Sequence, residues 1–370
     1  MVLAVLAAAC GSSPSSSTGP AVTSHTTTTP ANPAANLSVE SPPAVPVTLS
    51  ESGSATMYPL WNLWVPKYHT QYPTVSITTA STDSATGVGE ALAGQIDIGA
   101  SDAALTKVQR EASPDGLSIP LAESSVVVTY HLAGVRAHLA LSGTVLSAIY
   151  RGTITSWNAG PIAALNPGTK LPATRIVTVH RSDPSGDTLL FTSYLSRTDG
   201  RWRATVGAGT SVSWPNAPGA LVEQGNGGTL AACEREGGCL AYLGSAYQAR
   251  ASAAGLGVAA LRNGAGTFVV PTPSSVQATA AAAAQSTPPD GDVSLVDSAA
   301  AGAYPVVGYG YAIALRHQPS ATTAQAVRSV LDWTVDPNAG GSTALLSSVG
   351  FEPLPAAVAA RSAAQIRKIH

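Results

Sequence analysis

Residues 175–195 read RIVTVHRSDPSGDTLLFTSYL, and their order decides the fold class. The β-branched run 175–180 (RIVTVH) predicts a strand, and Leu189, Leu190 and Tyr194 recur at helical spacing. Between them lies a loop of small polar residues, Arg181-Ser182-Asp183-Pro184-Ser185-Gly186-Asp187-Thr188. A strand that hands over to a helix in this way is the building unit of an α/β protein. The unit occurs twice more. Residues 45–49 (VPVTL) lead through Ser52-Gly53-Ser54-Ala55-Thr56 into a helix bearing Leu60, Leu63 and Trp64. Residues 74–79 (TVSITT) lead through Ser81-Thr82-Asp83-Ser84 into a helix through Val88 and Leu92.

Each unit places hydroxyls where a helix begins, which has two readings. Ser, Thr and Asp at an N-cap satisfy orphan backbone N–H groups in any α/β protein. Alternatively, the free N–H groups and the positive end of the helix dipole hold an anion. In the third loop Arg181 favours the anion, because a guanidinium makes bidentate bonds to a tetrahedral oxyanion and Ser185-Gly186 adds a hydroxyl and a close-approaching backbone. Spacing alone does not make the loops converge.

The wider composition limits the alternatives. The chain has 370 residues, 45% hydrophobic and only 11% charged, so it has material for about two domains and is not disordered throughout. A net charge of −2 excludes an electrostatic drive toward nucleic acid. The motifs of nucleophile-elbow hydrolases, P-loop enzymes and zincins are absent, and His180 is the only histidine beside the third loop. These residues call for no cofactor and no metal.

Residues 1–10 (MVLAVLAAAC) resemble the end of a lipoprotein signal with Cys10 as the acylated residue. Residues 11–44 are Ser, Thr, Pro and Ala, with Glu40 the one carboxylate, and predict a disordered tether with a reach of about 30 Å. Cys233 and Cys239 enclose EREGG; in an exported chain the pair reads as a local disulfide, with zinc the competing reading.

Taken together, these residues resemble the PstS family of phosphate-binding proteins, most closely the lipoprotein members from high-GC Gram-positive bacteria. The resemblance rests on the first loop followed by Tyr58-Pro59-Leu60 and Asn62-Leu63-Trp64, on Gly99-Ala100-Ser101-Asp102, and on Arg181-Ser182-Asp183 with Ser185-Gly186-Asp187-Thr188. Tyr150, Gly152-Thr153-Ile154, Trp157, Gly225-Asn226-Gly227-Gly228, Cys233, Cys239 and Phe351-Glu352-Pro353-Leu354-Pro355 extend it.

The resemblance implies a two-lobed periplasmic-binding-protein (type II) fold with a hinge, lobe I being residues 45–126 with 303–370 and lobe II residues 127–302. It implies a phosphate site of Ser54, Ala55, Thr56, Ser84, Asp102, Arg181, Ser185, Gly186 and Asp187. Ser84 and Arg181 would donate to the anion. Asp102 would accept a proton that phosphate carries and sulfate lacks, and Asp187 would be a second acceptor. Two departures stand out: Ala55 falls where relatives usually place a hydroxyl, which leaves its backbone N–H to bind and Ser54 or Thr56 as candidates to replace the hydroxyl, and Pro184 removes one N–H from the third loop. The implied protein is no enzyme. It is a monomeric receptor on the outer face of the cytoplasmic membrane, tied to lipid through palmitoylated Cys10, passing inorganic phosphate to the permease subunits of an ABC importer. A receptor for another oxyanion and a secreted phosphoester hydrolase are the rival readings.

Overall fold

The computed structural model describes residues 39–135 and 138–370. Cys10 and most of the expected tether lie outside these residues. Its last part does not: Val39 packs on the core, and Glu40 pairs with Arg328, Nε to Oε2 at 2.5 Å. The body therefore begins by residue 39, because an ion pair and an apolar contact hold a stretch whose composition reads as unstructured.

Twelve strands occur among the described residues: β1 (Val47–Gly53), β2 (Val75–Ser81), β3 (Ile98–Ser101), β4 (Gly116–Tyr130), β5 (Ala140–Leu141), β6 (Val177–Arg181), β7 (Leu221–Glu223), β8 (Cys239–Gly244), β9 (Gly257–Val258), β10 (Ala260–Arg262), β11 (Phe268–Val269) and β12 (Val307–Leu315). They form a continuous path β2-β1-β3-β12-β4-β8-β6-β7, with β9 beside β4, and a small separate sheet β11-β10-β5. Parallel pairs β1–β2, β1–β3, β6–β8 and β6–β7 reflect strand–helix–strand crossovers, whereas β12 and β4 run antiparallel to their neighbours.

The long strand β4 belongs to both halves of this path. Residues 116–125 pair with β12, and residues 126–130 pair with β8. The partner exchange falls between Ser125 and Val126, and Val126 N–H donates to the Val306 carbonyl just before β12 begins (2.9 Å). One apolar cluster holds Leu49, Leu60, Trp61, Trp64, Tyr68, Ile98 and Leu331; another holds Val128, Tyr150, Phe191, Tyr194, Trp202 and Tyr242 and runs across β4 and β12 to Val88, Tyr309 and Ile313.

The helices follow the expected faces in part: Val88, Leu190 and Tyr194 are buried, whereas Leu92 and Leu189 are only half-buried beside buried Ala91 and Phe191. Helix Tyr58–Gln71 buries Leu60, Trp61, Trp64 and Tyr68, so Trp61 takes the place expected for Leu63, which is only half-buried. The larger indole gains more by leaving water. Cys233 and Cys239 form a disulfide between helix Gly225–Arg235 and β8.

Candidate anion-binding site

The three loops do converge. The loops that follow β1, β2 and β6 meet one another and the residue that follows β3: Ser54 and Ser84 both reach Asp102, and Thr56 reaches Asp187. Ser54, Thr56, Ser84, Asp102, Arg181, Ser185 and Asp187 are all buried there, none more than 4% exposed, and Ala55 is half-buried.

Asp102, just after β3, collects hydroxyls from the first two loops. Ser54 donates to its Oδ1 (2.6 Å) and Ser84 to its Oδ2 (3.2 Å). Ser54 also organises its own turn, its Oγ accepting the N–H groups of Thr56 (3.1 Å) and Met57 (3.2 Å). Ser84 opens helix Ser84–Leu92, which is capped by Asp83 rather than by Ser84 itself.

The third loop presents Arg181 and Asp187. Arg181 is clamped by Asp183, which accepts from Nε (2.8 Å) and from the second terminal nitrogen, and its remaining nitrogen lies 3.2 Å from Asp187 Oδ2. Burial works against the Arg181 charge, but the bonds from Asp183 and the charges of Asp187 and Asp183 hold it above the ordinary arginine value. Asp187 Oδ2 additionally accepts from Thr56 Oγ1 (2.8 Å) and Asn226 Nδ2 (2.7 Å).

The two carboxylates feel each other. Burial pushes the Asp102 carboxyl up to about 7, the charge of Asp187 adds to the rise, and the Ser54 and Ser84 hydroxyls and Arg181 pull against it. Gly186 closes the arrangement: a methyl group there would lie 1.9 Å from Asp102 Cβ. Among the described residues no group of three or more His, Cys, Asp or Glu could hold a metal, and no helix is long and apolar enough to cross a membrane.

Such a constellation offers hydroxyls, a guanidinium and the N–H groups of Gly186 and Asp187, which open helix Gly186–Thr198 and have no internal helical acceptor. It also offers two acceptor carboxylates, so it suits an oxyanion that carries its own proton.

A family model described as the PBP superfamily domain matches residues 16–338. The phosphate-binding protein PstS of Pasteurella multocida is 33% identical over 319 residues, covering 86% of this chain and 89% of that protein. The PstS of Xylella fastidiosa is 32% identical over 289 residues, covering 78% of this chain and 77% of that protein. The chain belongs to the PstS family. A solved structure of a high-affinity periplasmic phosphate-binding protein bound with phosphate superposes with a TM-score of 0.67 at 21% identity, covering 86% of this chain and 93% of that one. This likeness establishes the two-lobed fold.

Capping and anion readings both find a place in this PstS chain. Asp83 and Ser185 are true N-caps, accepting from Thr86 N–H and Thr188 N–H. The amide of Ser185 donates to the Thr210 carbonyl (2.8 Å), because the segment at residue 210 folds back on the loop. His180 faces away, stacked on Trp214 at 4.6 Å, and burial lowers its pKa, so it packs as an aromatic neighbour. Sequence reading gave no role to Asn226, although its motif carried part of the resemblance. Nothing in the residues 225–228 alone reveals that its amide reaches Asp187.

Proposed function

We propose that this PstS-family chain is an extracytoplasmic receptor that binds inorganic phosphate between its lobes and delivers it to the permease subunits of an ABC importer. The reading is carried by one observation: Arg181 and Asp102, distant in sequence, share one buried site with the Ser54, Thr56 and Ser84 hydroxyls and Asp187. Relatives named for phosphate binding support the ligand. A guanidinium supplies charge to the anion, and carboxylates accept its protons, a demand that sulfate cannot meet.

The proposed lobes divide where β4 exchanges partners, residues 45–126 with 303–370 forming lobe I and 127–302 lobe II, and ligand closure is a hinge motion about those crossings. Ser54, Thr56, Ser84, Asp102, Arg181, Ser185, Gly186 and Asp187 contact the anion in this proposal, with Ala55 contributing its backbone. Attachment to lipid through Cys10, on the outer face of the membrane and as a monomer, rests on the sequence of residues 1–38. Binding without turnover fits a site of donors and acceptors with no positioned nucleophile.

Calorimetric titration of the chain with phosphate, arsenate and sulfate tests the reading. Tight phosphate and arsenate binding with sulfate weaker by at least about a hundredfold is expected. Equal phosphate and sulfate affinities would overturn it. Arg181→Ala should remove measurable phosphate binding, since a buried anion then lacks its charged partner.

A further inference from the structure

Asn226 lies at the start of helix Gly225–Arg235, 1% exposed, and none of the proposed anion contacts requires it. Its amide is nonetheless held at both ends. Gly244 N–H donates to Oδ1 (3.0 Å), and because a backbone N–H can only donate, the amide oxygen must face Gly244. The Nδ2 group is thereby turned to Asp187 Oδ2 at 2.7 Å, with Thr56 Oγ1 at 3.5 Å. Three donors from three different segments, Thr56, Arg181 and Asn226, therefore converge on one oxygen of Asp187. Among the described residues no hydrogen bond is made to the other oxygen, Oδ1, beside which a methyl at Gly244 would sit at 3.0 Å.

Resting on the phosphate reading of this site, we propose that Asn226 is a positioning residue for ligand discrimination: it fixes the rotation of the Asp187 carboxyl group with Oδ1 presented to the protonated oxygen of the anion. Three donors occupy Oδ2, which leaves Oδ1 as the oxygen placed to accept from the ligand. Asp102 by contrast takes one hydroxyl on each of its oxygens. Other charged or titratable groups near Asp187 are Arg181, Asp183, Asp102 and Tyr242, and Tyr242 is engaged with Thr188 (2.8 Å) and the Arg181 N–H (3.2 Å).

Two substitutions separate this role from a merely structural one. Asn226→Asp keeps the acceptor for Gly244 but sets a carboxylate oxygen against Asp187, where only a proton restores the bond. Measured against wild type with inorganic phosphate from about pH 5 to about pH 8, its affinity deficit should be at least about tenfold larger at the alkaline end. Asn226→Ala removes one of the donors that hold Oδ2 at every pH, so the Asp187 carboxyl group is freer to turn and the phosphate-to-sulfate affinity ratio should fall by about tenfold. A pH-independent deficit in Asn226→Asp together with an unchanged phosphate-to-sulfate ratio in Asn226→Ala would overturn the proposal; if only one variant folds, its result alone decides. Failure of the wild-type chain to bind phosphate would instead remove the reading beneath it.

Discussion

A single methyl group at Gly186 tests whether the lobes close in the manner described. The backbone of Gly186 has an ordinary negative φ at the start of a helix, so Gly186→Ala strains nothing locally and gains up to about 1 kcal/mol from reduced chain entropy. The new Cβ, however, would lie 1.9 Å from Asp102 Cβ and 2.6 Å from Asp102 Oδ2. Asp102 Cβ is fixed to its backbone and cannot swing aside. Restoring an ordinary contact of at least 3.4 Å requires the two loops to part by about 1.5 Å. Such a shift carries the Thr56–Asp187 bond, 2.8 Å long, out of hydrogen-bond range and withdraws Asp102 from an anion held by Arg181. Two charge-assisted bonds at about 1.5–3 kcal/mol each amount to a loss of about a hundredfold or more in phosphate affinity. Calorimetry gives the affinity, and a thermal melt of the ligand-free variant checks that each lobe is intact. Phosphate affinity within about threefold of wild type would refute the geometry on which the site is built.

Asp102→Asn should weaken phosphate less than it strengthens sulfate, since the amide can donate to a fully ionised oxygen; an unchanged phosphate-to-sulfate ratio in competition titrations would remove Asp102 from the discrimination. Glu51, buried on β1 with Thr79 donating to it, has a carboxyl pushed by burial up to about 8 from 4.5. Its folded-state pKa is raised, so the folded protein holds the extra proton, and stability linked to this group is full below about pH 4.5 and lost as pH climbs to about 8. Glu51→Gln should therefore stabilise progressively relative to wild type across that window, by a few kcal/mol at most; a flat difference between the two melting curves over pH would contradict the assignment. Opening the Cys233–Cys239 loop with Cys233→Ser should cost about 2 kcal/mol, as a loop of six-residue separation constrains the unfolded chain only modestly, and denaturant midpoints measure it.

The strand–loop–helix units were legible because each is local: strand propensity, small polar loop residues and an apolar helical face lie within some twenty contiguous residues. Arg181, Asp102 and Ser84 were legible as a set through the resemblance. Their meeting point could not be read from spacing, because it depends on β12 and β4 inserting between β3 and β8. The partner exchange along β4 is a property of pairing and not of residue type. Three contacts were invisible for the same reason. The Ser185 amide is consumed by Thr210, Asn226 reaches Asp187 over 39 residues, and Glu40 is tied to Arg328 over 288. A lone Glu in a Ser/Thr/Pro-rich stretch has no signal of its own; its partner decides whether it is ordered.

The like charges in the site give closure its dependence on the anion. Bringing the loops together places Asp102 within the field of Asp187 and out of water, which is why its carboxyl is driven up to about 7. Without an anion, closure of the proposed site is therefore linked to proton uptake at Asp102, and it grows less favourable as pH rises from about 3.8 to about 7. In the proposed site an anion carrying a proton would supply from its own oxygen the hydrogen that Asp102 otherwise takes from solvent, and its charge would meet Arg181. A fully ionised anion supplies no proton, so it closes the lobes only by leaving a carboxylate oxygen against an anionic oxygen in a dry site. Selectivity and closure are on this argument one equilibrium, and a substitution that relaxes the first must also change how far the protein shuts around sulfate.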